Sequence, residues 1–377
     1  MFKYPVYQPS LTGNEKKYVN ECLDSTWISS KGKFIGEFES AFKSYVGARH
    51  AATVSNGTVA IHLALLALGI GPGAEVIVPT LTYIASVNAI AYTGATPVFC
   101  DSLKSTWQMD PDDVRRKITP RTRAILAVHL YGQPCEMDEL VKIAREHDLF
   151  LVEDCAEAFG SLYKGRHVGI FGDIGTFSFF GKKTLTTGEG GMVVTGDDTL
   201  YDRMVHFKGQ GLAKYREYWH DVIGYNYRMT NICAAIGLAQ LEQADSFLAK
   251  KRQIAAWYRL ELEGSPVTLH DELGDVRHSF WMISILVREA ADRDPLREVL
   301  RARGIETRPL FYPVHSMPMY SSAFQRHPVA EDLGWRGINL PSYPELREES
   351  VKEICGVIKA YFKSDPCGAI EKKPEKL

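Results

Sequence analysis

Two lysines, Lys182 and Lys183, stand between a short apolar, β-branched run, Gly175 to Phe180, and a glycine-rich turn, Thr186-Thr187-Gly188-Glu189-Gly190-Gly191. The run is too short for a helix and reads as a strand, as does Met192-Val193-Val194-Thr195 after the turn. Lysines so placed sit at the edge of the core, where desolvation lowers the pKa of an amine and makes it nucleophilic. Pyridoxal phosphate, an aldehyde cofactor, uses such an amine and is usually matched by an aspartate on its ring nitrogen. Asp154, at the polar end of the buried-looking strand Phe150 to Asp154, is an aspartate of that kind. Paired lysines before a glycine turn are also ordinary surface, and the residues alone leave both readings open.

The motifs are more specific together. Phe177-Ser178-Phe179, Lys183 and Thr186 to Gly191, preceded by Glu153-Asp154-Cys155-Ala156-Glu157-Ala158, resemble the pyridoxal-phosphate-dependent aminotransferases that modify nucleotide-linked sugars. That family serves antibiotic, lipopolysaccharide and O-antigen pathways and is a branch of the aspartate aminotransferase fold. The resemblance runs from about Tyr4 to Tyr361. It implies fold type I: a large α/β domain with a mostly parallel sheet flanked by helices, and a smaller α+β C-terminal domain. The expected limits are residues 1–247 for the cofactor-binding domain with its N-terminal cap, 248–365 for the small domain, and a disordered tail over 366–377.

By the same resemblance, the spacing to Thr186-Thr187-Gly188 selects Lys183 over Lys182 as the lysine that holds the cofactor. Relatives that remove a sugar hydroxyl carry His there, so a lysine implies transamination: glutamate donates, a pyridoxamine phosphate form intervenes, and a keto sugar accepts. Asp154 would keep the ring nitrogen protonated. Glu157 stands where relatives often carry Gln or His near the phenolic oxygen.

The elements that must position these groups alternate along the chain. Ala51 to Val54 reads as a buried strand, Ser55-Asn56-Gly57-Thr58 as a polar turn and Val59 to Leu68 as a helix. First-turn amides lack an internal partner and the helix dipole favours an anion, although a simple N-cap at Ser55 or Asn56 accounts for the same residues. The resemblance gives Gly57 and Thr58 to the cofactor phosphate, with Ser178 completing the grip. It also makes Tyr83 the ring that stacks on the pyridine; by itself Tyr83 reads as a core aromatic. Strands at Glu75 to Pro79, Pro97 to Asp101, Ala124 to Gly132 and Phe150 to Asp154 alternate with helices, which argues for a parallel sheet covered on both faces. Ligand groups then gather at the carboxyl ends of the strands, where Asp154 lies. His129 reads either as a residue near it or as a packed, hydrogen-bonded histidine.

Further along, a long helix from about Gln240 to Glu263 is expected to join the domains, followed by a strand from Phe280 to Val287 and a helix from Pro295 to Arg303. Gly224-Tyr225-Asn226-Tyr227-Arg228-Met229 resembles the segment that crosses the subunit interface, lending Asn226 to the neighbour's cofactor phosphate. The implied assembly is a homodimer with shared active sites. Trp27, Ser29, Lys31, Arg228 and His315 are the implied substrate-binding residues, with Trp27 readable equally as a packing anchor. The wording of Trp27 to Gly32, Phe179-Phe180-Gly181 and Phe311-Tyr312-Pro313 points to the perosamine-forming branch, hence to GDP-4-keto-6-deoxy-D-mannose as acceptor and glutamate as donor. A UDP- or dTDP-linked sugar aminated at C4 or C3 is the alternative.

Composition narrows the field. The 377 residues are 45% hydrophobic and 24% charged, with 44 Lys plus Arg against 46 Asp plus Glu. No basic excess points to nucleic acid. No apolar run is long enough for a membrane span, and the start lacks a signal-peptide pattern, so a cytoplasmic enzyme is expected. The seven cysteines show no CxxC spacing and are expected to be free thiols. No histidine pattern suggests a metal, and no strand leads into GxGxxG. A non-catalytic sugar-nucleotide-binding protein is the remaining rival.

Overall fold

The structure is a computed structural model in which residues 2–321 and 323–363 are described. The expected tail, 366–377, lies outside them. Helices α1 (Glu15–Asp24) and α2 (Lys33–Val46) open the chain. The phenylalanines of α2, Phe34, Phe38 and Phe42, fall on one stripe and are fully buried.

Alternation then follows: β1 (His50–Val54), α3 (Gly57–Ala67), β2 (Glu75–Pro79), α4 (Ile84–Tyr92), β3 (Thr96–Cys100), α5 (Pro111–Lys117), β4 (Thr122–Val128), α6 (Met137–Glu146) and β5 (Phe150–Asp154). Two short strands, β6 (Leu162–Tyr163) and β7 (Arg166–His167), precede β8 (Ile174–Ser178) and β9 (Gly191–Thr195). The main sheet has seven strands in the order β1-β9-β8-β5-β4-β2-β3. β9 runs antiparallel to both its neighbours, and the remaining pairs are parallel. Nearly every residue of β2, β4, β5 and β8 is buried, as strands covered on both faces require.

After α7 (Asp198–Lys208) come α8 (Asn231–Leu241) and α9 (Ala244–Leu262). The expected helix from Gln240 thus starts at Ala244, since Gln243 breaks the regular geometry between the two helices. The expected domain boundary falls inside α9. Phe247 and Leu248 pack with the large-domain core, whereas Ile254, Ala255 and Tyr258 pack with the small one.

The second unit contains β10 (Val267–Leu269), β11 (Val276–Arg277), β12 (Ile283–Val287), α10 (Ala290–Ala302), β13 (Arg308–Pro309), α11 (Pro328–Arg336), β14 (Gly337–Leu340) and α12 (Glu348–Lys363). Its sheet runs β10-β12-β14-β13, all antiparallel, while β11 joins β6 and β7. Two expectations shift here. The strand begins at Ile283 because Phe280 turns the chain at φ 52°. The helix holds Pro295 in its interior, having begun at Ala290. Tyr4, at the N-terminus, packs into the small-domain core through backbone bonds to Gly304 and Glu306. A separate cluster that includes Val6, Tyr7, Tyr131 and Trp281 fills the junction between the units.

Candidate active site

The carboxyl ends of β5 and β8 lie side by side, Asp154 pairing with Thr176, and Lys183 follows β8 in a tight turn. The turn is closed by Lys183 N–H to Phe180 O at 2.8 Å, Thr187 N–H to Phe179 O at 2.9 Å, and the Thr186 hydroxyl to Phe179 O at 3.2 Å. Gly188 takes φ 79°, the left-handed region where a side chain is strained.

Lys183 points inward. Its Nζ lies 3.8 Å from Glu157 Oε1 and 4.1 Å from the centroid of the Trp281 ring. Burial lowers its pKa, against the opposing pull of Glu157 and Asp154. Its backbone is pinned from two sides: the Tyr7 hydroxyl donates to Lys183 O at 2.7 Å, and Trp281 Nε1–H donates to Lys182 O at 2.8 Å. Lys182 is half-buried beside Arg308 and Glu306.

Asp154 is buried and oriented. One carboxylate oxygen accepts from the Ser86 hydroxyl at 2.7 Å and the other from Ala156 N–H at 3.0 Å. Glu157 is buried too, and accepts from Tyr131 N–H at 2.9 Å. Burial pushes its carboxyl up to about 7 in spite of Lys183 and that amide.

The N-terminus of α3 meets the end of β8. Asn56 caps the Val59 amide at 3.0 Å, and the amides of Gly57 and Thr58, in the first turn, have no partner within the helix. A Cβ on Gly57 would come within 2.7 Å of Ser178 Cβ, so only glycine lets helix and strand approach this closely. The first turn of α3, with Gly57 and Thr58, thus meets Ser178 at the end of the strand that leads to the half-buried Lys183 and lies beside the strand ending in buried Asp154. The set fits pyridoxal phosphate: amides and a hydroxyl for the phosphate, an amine for the aldehyde and Asp154 for the ring nitrogen.

Tyr83 is exposed over this region, its ring 5.5 Å from that of Phe311. Both line a cleft of about 810 Å³ whose wall also carries Tyr312, Arg297, Arg301 and Arg308.

The other sequence candidates lie apart from the lysine. Trp27 is exposed rather than a packing anchor, and lines a separate cavity of about 510 Å³ with Lys33 and Asn231. Its loop is clamped by Asn231, which donates its amide N–H to Ser29 O at 2.6 Å and its side-chain N–H to Trp27 O at 2.7 Å. Lys31 is exposed on the same loop. Asn226 and Arg228 are both exposed, and Arg228 donates to Asn226 Oδ1. His315 turns inward: Nδ1 meets Thr80 Oγ1 at 2.7 Å and Nε2 meets Glu331 at 3.4 Å, because its short 3₁₀ turn packs against the end of β2. That engagement leaves His315 no free ring nitrogen for a substrate.

His129 is the packed histidine. Its Nδ1 accepts from Cys135 N–H at 3.0 Å, which puts the proton on Nε2, 3.1 Å from Glu153. With Cys155 these form a group of metal-ligating types, but Glu153 also accepts from Gly169, Phe171 and Gly172 N–H, so the donors are already spoken for within the fold. The residues that reasoning from sequence missed are Ser86, Tyr131, Tyr7 and Trp281. Each comes from a segment far from Lys183 in the chain, and none carries a motif.

The aminotransferase family model described as DegT/DnrJ/EryC1/StrS matches residues 9–359. The chain belongs to this family. It is 66% identical over 358 residues to GDP-perosamine synthase of Escherichia coli O157:H7, covering 95% of this chain and 98% of that one. It is 51% identical to GDP-perosamine synthase of Vibrio cholerae, over 95% of this chain and 99% of that one. Among solved structures, the aminotransferase TlmJ of Streptoalloteichus hindustanus superposes with a TM-score of 0.91 at 30% identity, over 96% of this chain and 99% of that one. Family and fold make this a pyridoxal-phosphate-dependent sugar-nucleotide aminotransferase of fold type I. Among the described residues no helix is long and apolar enough to cross a membrane.

Proposed function

We propose that this chain moves the amino group of L-glutamate to C4 of GDP-4-keto-6-deoxy-D-mannose, giving GDP-perosamine and 2-oxoglutarate. The observation that carries the substrate is the 66% identity, over nearly the full length of both chains, to a protein named GDP-perosamine synthase. Pyridoxal phosphate, when bound, supplies the electron-withdrawing ring that lets an amino group leave one carbon and enter another.

The chain's own residues divide the remaining work. Lys183 would hold the cofactor, and its Nζ could take and return a proton at the reacting carbon; burial, which lowers its pKa, supports that task. Asp154, locked by Ser86 and Ala156, would face the ring nitrogen and favour its protonated form. Gly57, Thr58 and Ser178 would hold the phosphate, and Tyr83 would offer its ring to the pyridine. Glu157 stands against the amine and holds a proton near neutral pH.

A homodimer with Asn226 lent to the partner's phosphate is part of the proposal, with the cytoplasm as its place of work. The exposed run from Lys214 to Ile223, with Tyr218 at 92% and Ile223 at 88% exposure, supports a covered face beside Asn226 and Arg228.

The test is an initial-rate comparison with glutamate and keto sugars carrying GDP, UDP or dTDP, with the product read by NMR. A GDP-linked 4-amino product is expected; a site built around base hydrogen bonds discriminates by roughly 10⁴–10⁵-fold. Preference for a UDP- or dTDP-linked acceptor, or a 3-amino product, retires the perosamine assignment. Mixing inactive Lys183→Ala and Asn226→Ala chains under subunit exchange should restore activity, and no recovery rules out the shared site.

A further inference from the structure

Lys251, on α9, is 1% exposed, more deeply buried than Lys183, and it has no carboxylate among its hydrogen-bond partners. Its Nζ donates to Trp281 O at 2.8 Å, to Ser342 Oγ at 3.0 Å and to Ser342 O, and lies 5.2 Å from the centroid of the Tyr7 ring. An ammonium has three N–H donors, and here it finds three oxygen acceptors and a π-face. Burial pulls its pKa down to about 7.

What Lys251 touches also touches the nucleophile. Trp281 gives its ring face to Lys183 Nζ and its Nε1–H to Lys182 O. Tyr7 gives its hydroxyl to Lys183 O. Ser342 N–H donates to Val6 O at 3.1 Å, which fixes the segment that carries Tyr7. Three chain segments distant in sequence therefore converge on one ammonium, and two of them end on the Lys182–Lys183 backbone.

We propose that Lys251 is a positioning residue for Lys183, acting through Trp281 and Tyr7 from the junction of the two domains. The proposal rests on the reading of Lys183 as the cofactor-holding amine. Without the ammonium, the Trp281 carbonyl and both Ser342 oxygens lose their donor, the indole loosens, and Lys183 loses the ring that favours its charged form.

The test uses the full-length, cofactor-free protein and Lys251→Met, which keeps the stem and removes the charge. Competitive acetylation with acetic anhydride, followed by mass spectrometry, gives the pH midpoint of Lys183. The midpoint is expected to fall by about half a pH unit, roughly a 3-fold rise in free amine below it. In the loaded enzyme kcat should fall about 10-fold while KM for glutamate stays within about 2-fold. A folded Lys251→Met protein with the parent midpoint and kcat, and only a lower Tm, makes Lys251 a structural anchor and overturns the proposal. If Lys251→Met does not fold, Lys251→Gln and Ser342→Ala, which change only the ammonium and its acceptor, replace it: a shifted midpoint in either supports the link, and unchanged midpoints in both overturn it. Borohydride reduction of the loaded parent separates the two readings. A label away from Lys183 sinks the cofactor assignment and this proposal together, whereas a label on Lys183 with unmoved midpoints sinks this proposal alone.

Discussion

Glu153, which lies in β5, and Glu157, just beyond that strand, are both buried carboxylates, yet their surroundings differ in kind. Glu153 accepts three backbone N–H groups and the His129 ring. Burial works to raise its pKa, but the His129 bond and the glycine amides outweigh it and leave the carboxyl below the usual range. Glu157 has one backbone N–H and an amine at 3.8 Å, and burial wins, pushing it to about 7. Burial alone does not make an acid chemically available. Incomplete satisfaction does, and it is found beside the lysine and not one turn earlier.

Lys183→Ala should break the contrast most visibly. Multiple turnover is lost, at least the ~10²–10⁴-fold that acid–base catalysis supplies. Borohydride no longer fixes the cofactor to the chain, and Glu157, without its cation, moves above 7. Lys182→Ala should keep both the absorption band and the label; peptide mapping that puts the label on Lys182 would reverse the assignment.

Glu153→Ala tests the other side. It strands the amides of Gly169, Phe171 and Gly172 and the proton of His129, so the loss should be about 3–5 kcal/mol of unfolding free energy. Urea unfolding measures it; a loss under about 1 kcal/mol would mean that water satisfies those groups as well as Glu153 does.

Glu157→Gln gives the smallest change and the most specific one. The folded pKa of Glu157, about 7, lies above its ordinary 4.5, so the folded state binds more protons between those values. Stability from this group is present in full below pH 4.5 and is lost as pH rises through 7. Glutamine has no such loss. In the cofactor-free protein Glu157→Gln should therefore gain on the parent across that window, reaching on the order of 2 kcal/mol at pH 8. Paired urea titrations at pH 5 and pH 8 decide it, and a pH-independent difference would place Glu157 with Glu153 as a permanently ionised group.

The contrast also marks what could be read from sequence. The parallel sheet was legible because β2, β4 and β5 are largely apolar runs, and Asp154 and Lys183 could be singled out as candidates because local motifs surround them. The glycine-rich turn and the Asn56 cap are local as well. The site's supports were not. Ser86, Tyr131, Tyr7 and Trp281 reach the site only through tertiary packing, and a lone Trp at the head of a strand looks like any core residue. Glu153 and Glu157 look alike as letters, since what separates them is the number of amides that the 169–172 turn delivers to one of them. His315 is read from its rigid Pro-rich loop, whereas its bonds to Thr80 and Glu331 are long-range and outside the reach of a local motif.

The antiparallel placing of β9 between β1 and β8 has a consequence for how the protein is made. β1 is synthesised early, but among the described residues its only sheet neighbour is a strand that leaves the ribosome much later. Closing so long a loop carries an entropy cost that nearby pairings avoid, and such contacts form slowly. A nascent chain ending before Gly191 already holds Gly57, Asp154 and Lys183, yet it lacks the seam that registers β1, and with it the start of α3, beside Ser178. The approach of Gly57 to Ser178 is thus fixed only once β9 has emerged and paired with both β1 and β8.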